Sequence, residues 1–206
     1  MILQSKTIYL RMIEPGDFEN THQWHNDYEI QKQTCGPIRI VSKEIEKAWT
    51  ESKASNNRND LYLAICRVSD DKMVGFTSIS EFDYINRSCD WSGIVIGDKD
   101  AHNGFEYVET GVLVFGYCFD QLNMNRITAS VLEEHIASKT GLMALTMKEE
   151  GVAKEAVYKN GKYLDRCFLA LLRKDYYEQR EQGQYETLSV IKRMAKLAKT
   201  YSKYKI

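Results

Sequence analysis

A mixed α/β fold, with a central sheet flanked by helices and a C-terminal helical tail, is what this sequence predicts. Three observations predict it. Between Trp91 and Ile127 a short apolar run bounded by Gly93 and Gly97, a polar loop, a helical pattern and a β-branched run follow one another. Two strand pairs lie on either side of that unit, at residues 61–68 with 73–79 and at residues 152–158 with 163–172. Apolar residues at three- and four-residue steps recur near both ends of the chain.

Each element has its own reason. Residues 7–13 alternate in part, with Ile8, Leu10 and Met12 against Tyr9 and Arg11, and close at Glu14-Pro15-Gly16-Asp17, a strand ended by a turn. Asp17 is placed to cap a helix through Phe18, His22 and Trp24. Ser42 is placed to cap a second through Ile45, Ala48 and Trp49, with Glu44 and Glu46 in its first turn. Strands 61–68 and 73–79 are joined by Ser69-Asp70-Asp71-Lys72, and residues 81–88 read as a charged connection.

The short run Ile94-Val95-Ile96 suits a buried strand better than a helix. From Val108 onward Val112, Leu113, Phe115, Tyr117, Phe119 and Leu122 keep a helical period. Residues 125–131 make the next strand, parallel to the one before the helix and reached by a right-handed crossover. A helix over 136–147 and a hairpin about Asn160-Gly161 complete the plan. A loop entering a helix leaves about four N–H groups without internal partners, beside the positive end of the helix dipole. The loop and helix start near residues 98–108 therefore read as an anion site.

Length and composition bound the rest. The 206 residues fit one domain over 1–178 and a tail over 179–206. A formal net charge of −1, with 28% charged and 43% hydrophobic residues, gives no global reason to expect nucleic acid. No run approaches the roughly 18 to 20 apolar residues of a membrane span, and no basic segment followed by an apolar one opens the chain, so a cytoplasmic protein is expected. The five cysteines, odd in number and without a Cys-x-x-Cys pair, read as reduced thiols, and no zinc-ligand spacing occurs. Residues 187–206 carry six Lys or Arg and no Asp or Glu. With Leu188, Ile191, Met194, Ala195, Leu197 and Ala198 at helical spacing, they predict a basic amphipathic helix docked on its own domain or on a second subunit of a homodimer. Contact of this helix with an anionic membrane surface is the alternative.

The order of elements resembles the GNAT superfamily of acyl-CoA-dependent N-acetyltransferases. Within it, residues 7–177 resemble the branch containing ribosomal-protein N-terminal acetyltransferases. That resemblance rests on Ile8-Tyr9-Leu10-Arg11 with Asp17, Trp24-His25-Asn26-Asp27, Val74-Gly75, Tyr117-Cys118-Phe119 with Leu122, Asn125, Arg126 and Ile127, then Glu150-Gly151 and Gly161-Lys162-Tyr163-Leu164-Asp165. It implies a splayed sheet in which backbone groups of Ile94, Val95 and Ile96 pair with the pantetheine arm of acetyl-CoA. It further implies that the pyrophosphate meets the loop and helix start at Asn103, Gly104, Phe105, Glu106, Tyr107 and Val108, with Ser138 also at the cofactor. The loop departs from the family's Arg/Gln-x-x-Gly-x-Gly/Ala, since His102 to Tyr107 has glycine at neither motif position. Leu142 likewise stands where the family commonly has a tyrosine acid.

Amide formation from a thioester needs a route for the amine's proton, polarisation of the carbonyl and a proton for the departing thiolate. Glu81 and Asp83, between the first hairpin and the central strand, are the candidate bases, and His135, like His102, is a candidate proton carrier beside the cofactor. Trp24, His25 and Tyr28 are expected to line the acceptor pocket. Three functions stay open: an acetyl-CoA-dependent transferase acting on a protein N-terminus, a polyamine or an amino sugar; a fold that binds a ligand or protein without turnover; and a transferase using a larger acyl group or an acyl-carrier protein.

Overall fold

The structure, a computed structural model, describes residues 2–55, 58–101 and 104–203. Eight strands form one sheet: β1 (Leu3–Gln4), β2 (Ile8–Met12), β3 (Leu61–Arg67), β4 (Met73–Asp83), β5 (Ser88–Ile96), β6 (Arg126–Leu132), β7 (Lys148–Lys159) and β8 (Lys162–Leu172). Their order is β1-β2-β3-β4-β5-β6-β8-β7. Each neighbouring pair is antiparallel except β5 and β6, which are parallel. The alternating residues of β2 and the apolar run of β3 thus sit inside a sheet. Asn160 and Gly161 both take positive φ, 51° and 78°, as a tight two-residue hairpin turn demands.

Seven helices accompany the sheet among the described residues: α1 (Phe18–His25), α2 (Tyr28–Gln31), α3 (Lys43–Ser55), α4 (Phe105–Gly116), α5 (Ile136–Ala144), α6 (Arg173–Glu181) and α7 (Thr187–Lys203). On one face of the sheet Val108, Val114 and Phe115 of α4, Leu142 of α5 and Val190 of α7 join Ile8, Leu10, Ile65, Ile79 and Leu169 in the main core. On the other face Trp24 of α1 packs with Ala64, Cys66, Met73 and Phe76. Fully burying one such aliphatic or aromatic side chain stabilises the fold by about 1.5–3 kcal/mol, so the larger cluster dominates.

Several details differ from the sequence reading. The charged connection at 81–88 is largely strand: β4 runs to Asp83 and β5 starts at Ser88, because Glu81 takes φ 53° in a bulge that absorbs one extra residue. Strand β1 carries too few apolar residues to be seen in sequence. It is tethered by the buried Glu109 of α4, which accepts from the Thr7 N–H (3.1 Å), the Thr7 hydroxyl (2.8 Å) and the Ser5 hydroxyl. Asp17 does not cap α1 through its side chain. It accepts from the Glu14 N–H (2.8 Å) and a two-pronged contact from Arg11 (2.7 and 2.8 Å). Helix α7 docks on its own domain through Val190, Ile191, Met194 and Leu197, while Leu188 stays 62% exposed. Arg193 of that helix reaches the Ala144 carbonyl at the end of α5 (2.7 and 3.1 Å). No helix among the described residues is long and apolar enough to cross a membrane.

Candidate active site

The site begins where β5 and β6 part. Their pairing is confined to Ser88 with Arg126, Cys89 with Ile127 and Asp90 with Thr128; beyond Asp90 the strands diverge. Ser92 is an extra residue in β5, since Ser78 faces Gly93 while Ile79 faces Trp91. A bulge of this kind bends its strand and commonly adjoins an active site. It is pinned from below: the Trp91 indole N–H donates to the Thr77 hydroxyl (2.7 Å), which donates to the Gly93 carbonyl (2.8 Å). The parting opens a cleft of about 570 Å³.

The cleft is walled by Ile94, Val95, Ile96, Lys99, Tyr107 and, on α5, Ser138 and Leu142. Asp27, Glu29, residues 33–36, His135 and Arg166 line it as well. Helix α4 starts at Gly104, whose φ of 88° is left-handed and cheap for glycine alone. The Val108 N–H is committed to the Gly104 carbonyl (3.2 Å) and its side chain is buried in the core, so the amides that can meet an anion precede it. Glu106 is buried, absent from the cleft wall, and its charge acts on the Arg67 guanidinium. The half-buried Phe105 does not line the cleft either. Asn103 and His102 lie outside the described residues.

Tyr107 occupies the slot between α4 and α5. Its ring is 6.0 Å from that of Trp91, and its edge and hydroxyl lie 2.7–2.9 Å from where a side-chain carbon on Gly141 would be. Burial pushes its phenol pKa well up, so it is protonated at neutral pH. Gly141→Ala would drive this ring into the cleft. The expected result is a stability loss of about 1 kcal/mol, read by thermal melting.

The candidate bases and acceptor residues fall elsewhere. Glu81 and Asp83 sit at the closed end of the sheet, where β5 and β6 are still paired, and neither lines the cleft. Asp83 instead accepts from the Ile85 and Asn86 N–H groups of the turn (2.9 and 2.8 Å), which hold its carboxyl below the usual range. Trp24 is 5% exposed, wedged where a side chain at Gly97 would stand and stacked near Phe76. His25 meets the buried Glu46 (2.9 Å) and the edges of Trp49 and Phe76. Tyr28 is half exposed beneath Lys32. The chain turns away after His25 because Asp27 caps α2, accepting from the Glu29 N–H (2.8 Å), and Asp27, Glu29, Ile30 and residues 33–36 line the cleft in their place.

His135 does line the cleft. Burial lowers its pKa while the Gln33 backbone partly opposes that, so the ring is largely neutral near pH 7. Arg166 is held by the Ser130 hydroxyl (2.9 and 2.6 Å), and Asp90 accepts from Thr128 (2.7 Å). Cys35 is half-buried in the cleft wall, with its thiol pKa raised by burial. Residues 33–36 carry no signal of their role in sequence, because they become a wall only once the terminal hairpin packs beside them. Away from the cleft, Glu133, Glu149 and Cys167 converge closely enough to hold an ion, but the buried Lys139 ammonium already meets both carboxylates (2.7 and 2.9 Å).

Comparison with known proteins fits this geometry. Residues 7–148 match the family model of the acetyltransferase (GNAT) domain. A probable N-acetyltransferase of Bacillus subtilis, YjcK, is 28% identical over 180 residues, covering 84% of this chain and 98% of that protein. Among solved structures, spermidine N-acetyltransferase from Vibrio cholerae, in complex with CoA and spermine, superposes with a TM-score of 0.75 at 22% identity, covering 82% of this chain and 98% of that one. A GNAT-family acetyltransferase from Bacillus anthracis gives 0.73 at 17% identity, over 84% and 99%. At such identities the two structures speak for the fold, and the family model for the membership. With the family model matched over more than half of its length, the chain belongs to the GNAT acetyltransferase family.

Proposed function

We propose that the chain transfers an acetyl group from acetyl-CoA to a primary amine of a small cationic acceptor of the polyamine kind. The observation that carries this reading is the make-up of the cleft: an unpaired strand edge and Lys99 share it with the acidic residues Asp27 and Glu29. The strand edge is suited to pair with the amides of pantetheine, and its N–H groups beyond Asp90 polarise the thioester carbonyl. Lys99 and the first-turn amides of α4 offer positive charge to a pyrophosphate. Asp27, and Glu29 in exchange for its Lys32 partner, attract a cation and favour its approach amine-first.

For the amine's proton, His135 is the neutral imidazole in the cleft wall, and for the departing thiolate the phenol of Tyr107 is a donor where Leu142 has none. Spermidine acetylation by a structural neighbour supports a polyamine over a protein N-terminus or an amino sugar. The test is thiol release from acetyl-CoA with spermidine, an amino sugar and an N-terminal peptide. Asp27→Asn with Glu29→Gln is expected to raise the spermidine KM about fivefold at low salt and less at high salt. Absence of any thermal shift with millimolar acetyl-CoA would overturn the proposal. One observation favours a second reading, binding without turnover: the Tyr107 ring stands in the slot between α4 and α5. That reading requires acetyl-CoA binding without thiol release for any amine.

A further inference from the structure

The wall of the cleft formed by residues 33–36 has no regular structure of its own, and its two ends are gathered by one distant side chain. Lys159, at the tip of the terminal hairpin, is 3% exposed. Its ammonium donates to the Gln31 carbonyl (2.7 Å) and to the Gly36 carbonyl (2.6 Å). These carbonyls begin and end the loop, so a single cation bridges its mouth. Among the described residues no carboxylate lies in ion-pair range of it. A buried ammonium without a counter-ion is costly and persists only where its hydrogen bonds are good, so two short bonds to carbonyls are a specific arrangement. The tight turn at Asn160-Gly161 follows immediately and fixes the lysine's backbone.

Two further contacts hold the same loop. The His135 ring meets the Gln33 backbone from the α5 side. The Gln31 side chain pairs with the Arg39 backbone, donating to its carbonyl (2.8 Å) and accepting from its N–H (2.6 Å). Between these anchors Gln33, Thr34, Cys35 and Gly36 line the cleft, as Asp27 and Glu29 do.

We infer that Lys159 is a positioning residue for the acceptor: by bridging the Gln31 and Gly36 carbonyls from the hairpin tip, it sets the position of the 31–36 wall and so the width available to the amine. The inference rests on the reading of Asp27 and Glu29 as the acceptor's neighbours. Without the ammonium, the Gly36 carbonyl loses this donor while the Gln31 carbonyl keeps the Thr34 hydroxyl (3.0 Å) and N–H (3.3 Å), so the bridge between the two ends of the loop is what is lost.

Cys35 supplies a readout independent of turnover, because Cys66, Cys89, Cys118 and Cys167 are each buried to 2% exposure or less. In the full chain, Lys159→Met is expected to speed reaction of Cys35 with an aromatic disulfide reagent by about tenfold, as a loop held by fewer contacts opens more often. A Cys35→Ser control identifies the thiol. The same variant is expected to raise the KM for spermidine about fivefold while the KM for acetyl-CoA stays within about twofold, and Lys159→Arg, which keeps the charge and donors, to restore part of both. If Lys159→Met does not fold, Lys159→Gln, shorter and uncharged, takes its place. Unchanged Cys35 reactivity overturns the inference, and so does faster labelling with an unchanged acceptor KM. If the unaltered chain acetylates none of the amines, the transfer reading fails, while the labelling result still decides whether Lys159 holds the loop.

Discussion

Replacing Gly75 by alanine is expected to lower stability by about 3 kcal/mol and to abolish measurable acetyl-CoA binding. Gly75 lies on β4 opposite Ile96, the last residue of β5. A side-chain carbon there would stand 2.2 Å from the Val95 carbonyl oxygen and 3.2 Å from the Ile96 Cα. Backbone cannot rotate aside as a side chain does, so relief requires β5 to shift away from β4. That shift is resisted by the Gly97 and Asp98 N–H groups, which both donate to the Val74 carbonyl (3.0 and 3.1 Å). The displaced segment is the strand edge proposed to receive pantetheine, hence the joint loss of stability and binding. Thermal melting should show a fall of roughly 10 °C for a chain of this size, and calorimetric titration should show no acetyl-CoA heat. Gly16→Ala, where no atom lies within 4 Å of the added carbon, is the neutral control. A Gly75→Ala protein melting within about 2 °C of the parent would refute the argument.

The second large effect is expected at Lys139. Its side chain is 3% exposed on α5, donating to Glu133 (2.7 Å) and Glu149 (2.9 Å), which are 35% and 36% exposed. Glu133 precedes α5 and Glu149 lies on β7, so the lysine ties the helix that carries Ser138 to the edge of the sheet. The two ways of breaking this contact differ. Lys139→Met leaves two partly exposed carboxylates that water can solvate, and should cost about 1–2 kcal/mol. Glu133→Ala with Glu149→Ala strands a buried ammonium, and should cost about 3–4 kcal/mol. Adding Lys139→Met to that pair should recover at least about 1 kcal/mol, a coupling that a double-mutant cycle measures by denaturant unfolding. Strictly additive losses would show that the three groups do not act as a unit.

The parts of the site that were legible in sequence are those set by chain-local chemistry. Ile94, Val95 and Ile96 reach the cleft because a short apolar run between glycines suits a strand better than a helix, and the sheet parts along that strand. Tyr107 and Ser138, which the family resemblance implies, line the cleft as well. Glu81 and Asp83 were misplaced because a bulge at a positive-φ residue extends β4 through what reads as a polar connection. Trp24 and His25 are aromatic enough for a pocket, yet the second core takes them first, since burying an indole against Phe76 and Gly97 outweighs exposing it.

Alternation, the turn chemistry at Asn160-Gly161 and the helix–strand order are readable in the chain because periodicity and turn residues act over only a few positions, and they give a mixed α/β plan that the family resemblance narrows to a GNAT fold. Tertiary structure decided what no short window contains. The Tyr107 ring meets Gly141, Lys139 meets Glu133 and Glu149, and Lys159 closes a loop more than a hundred residues away. Such contacts depend on distance in space, and a buried charge or a missing side-chain carbon acquires its meaning only from the atoms packed around it.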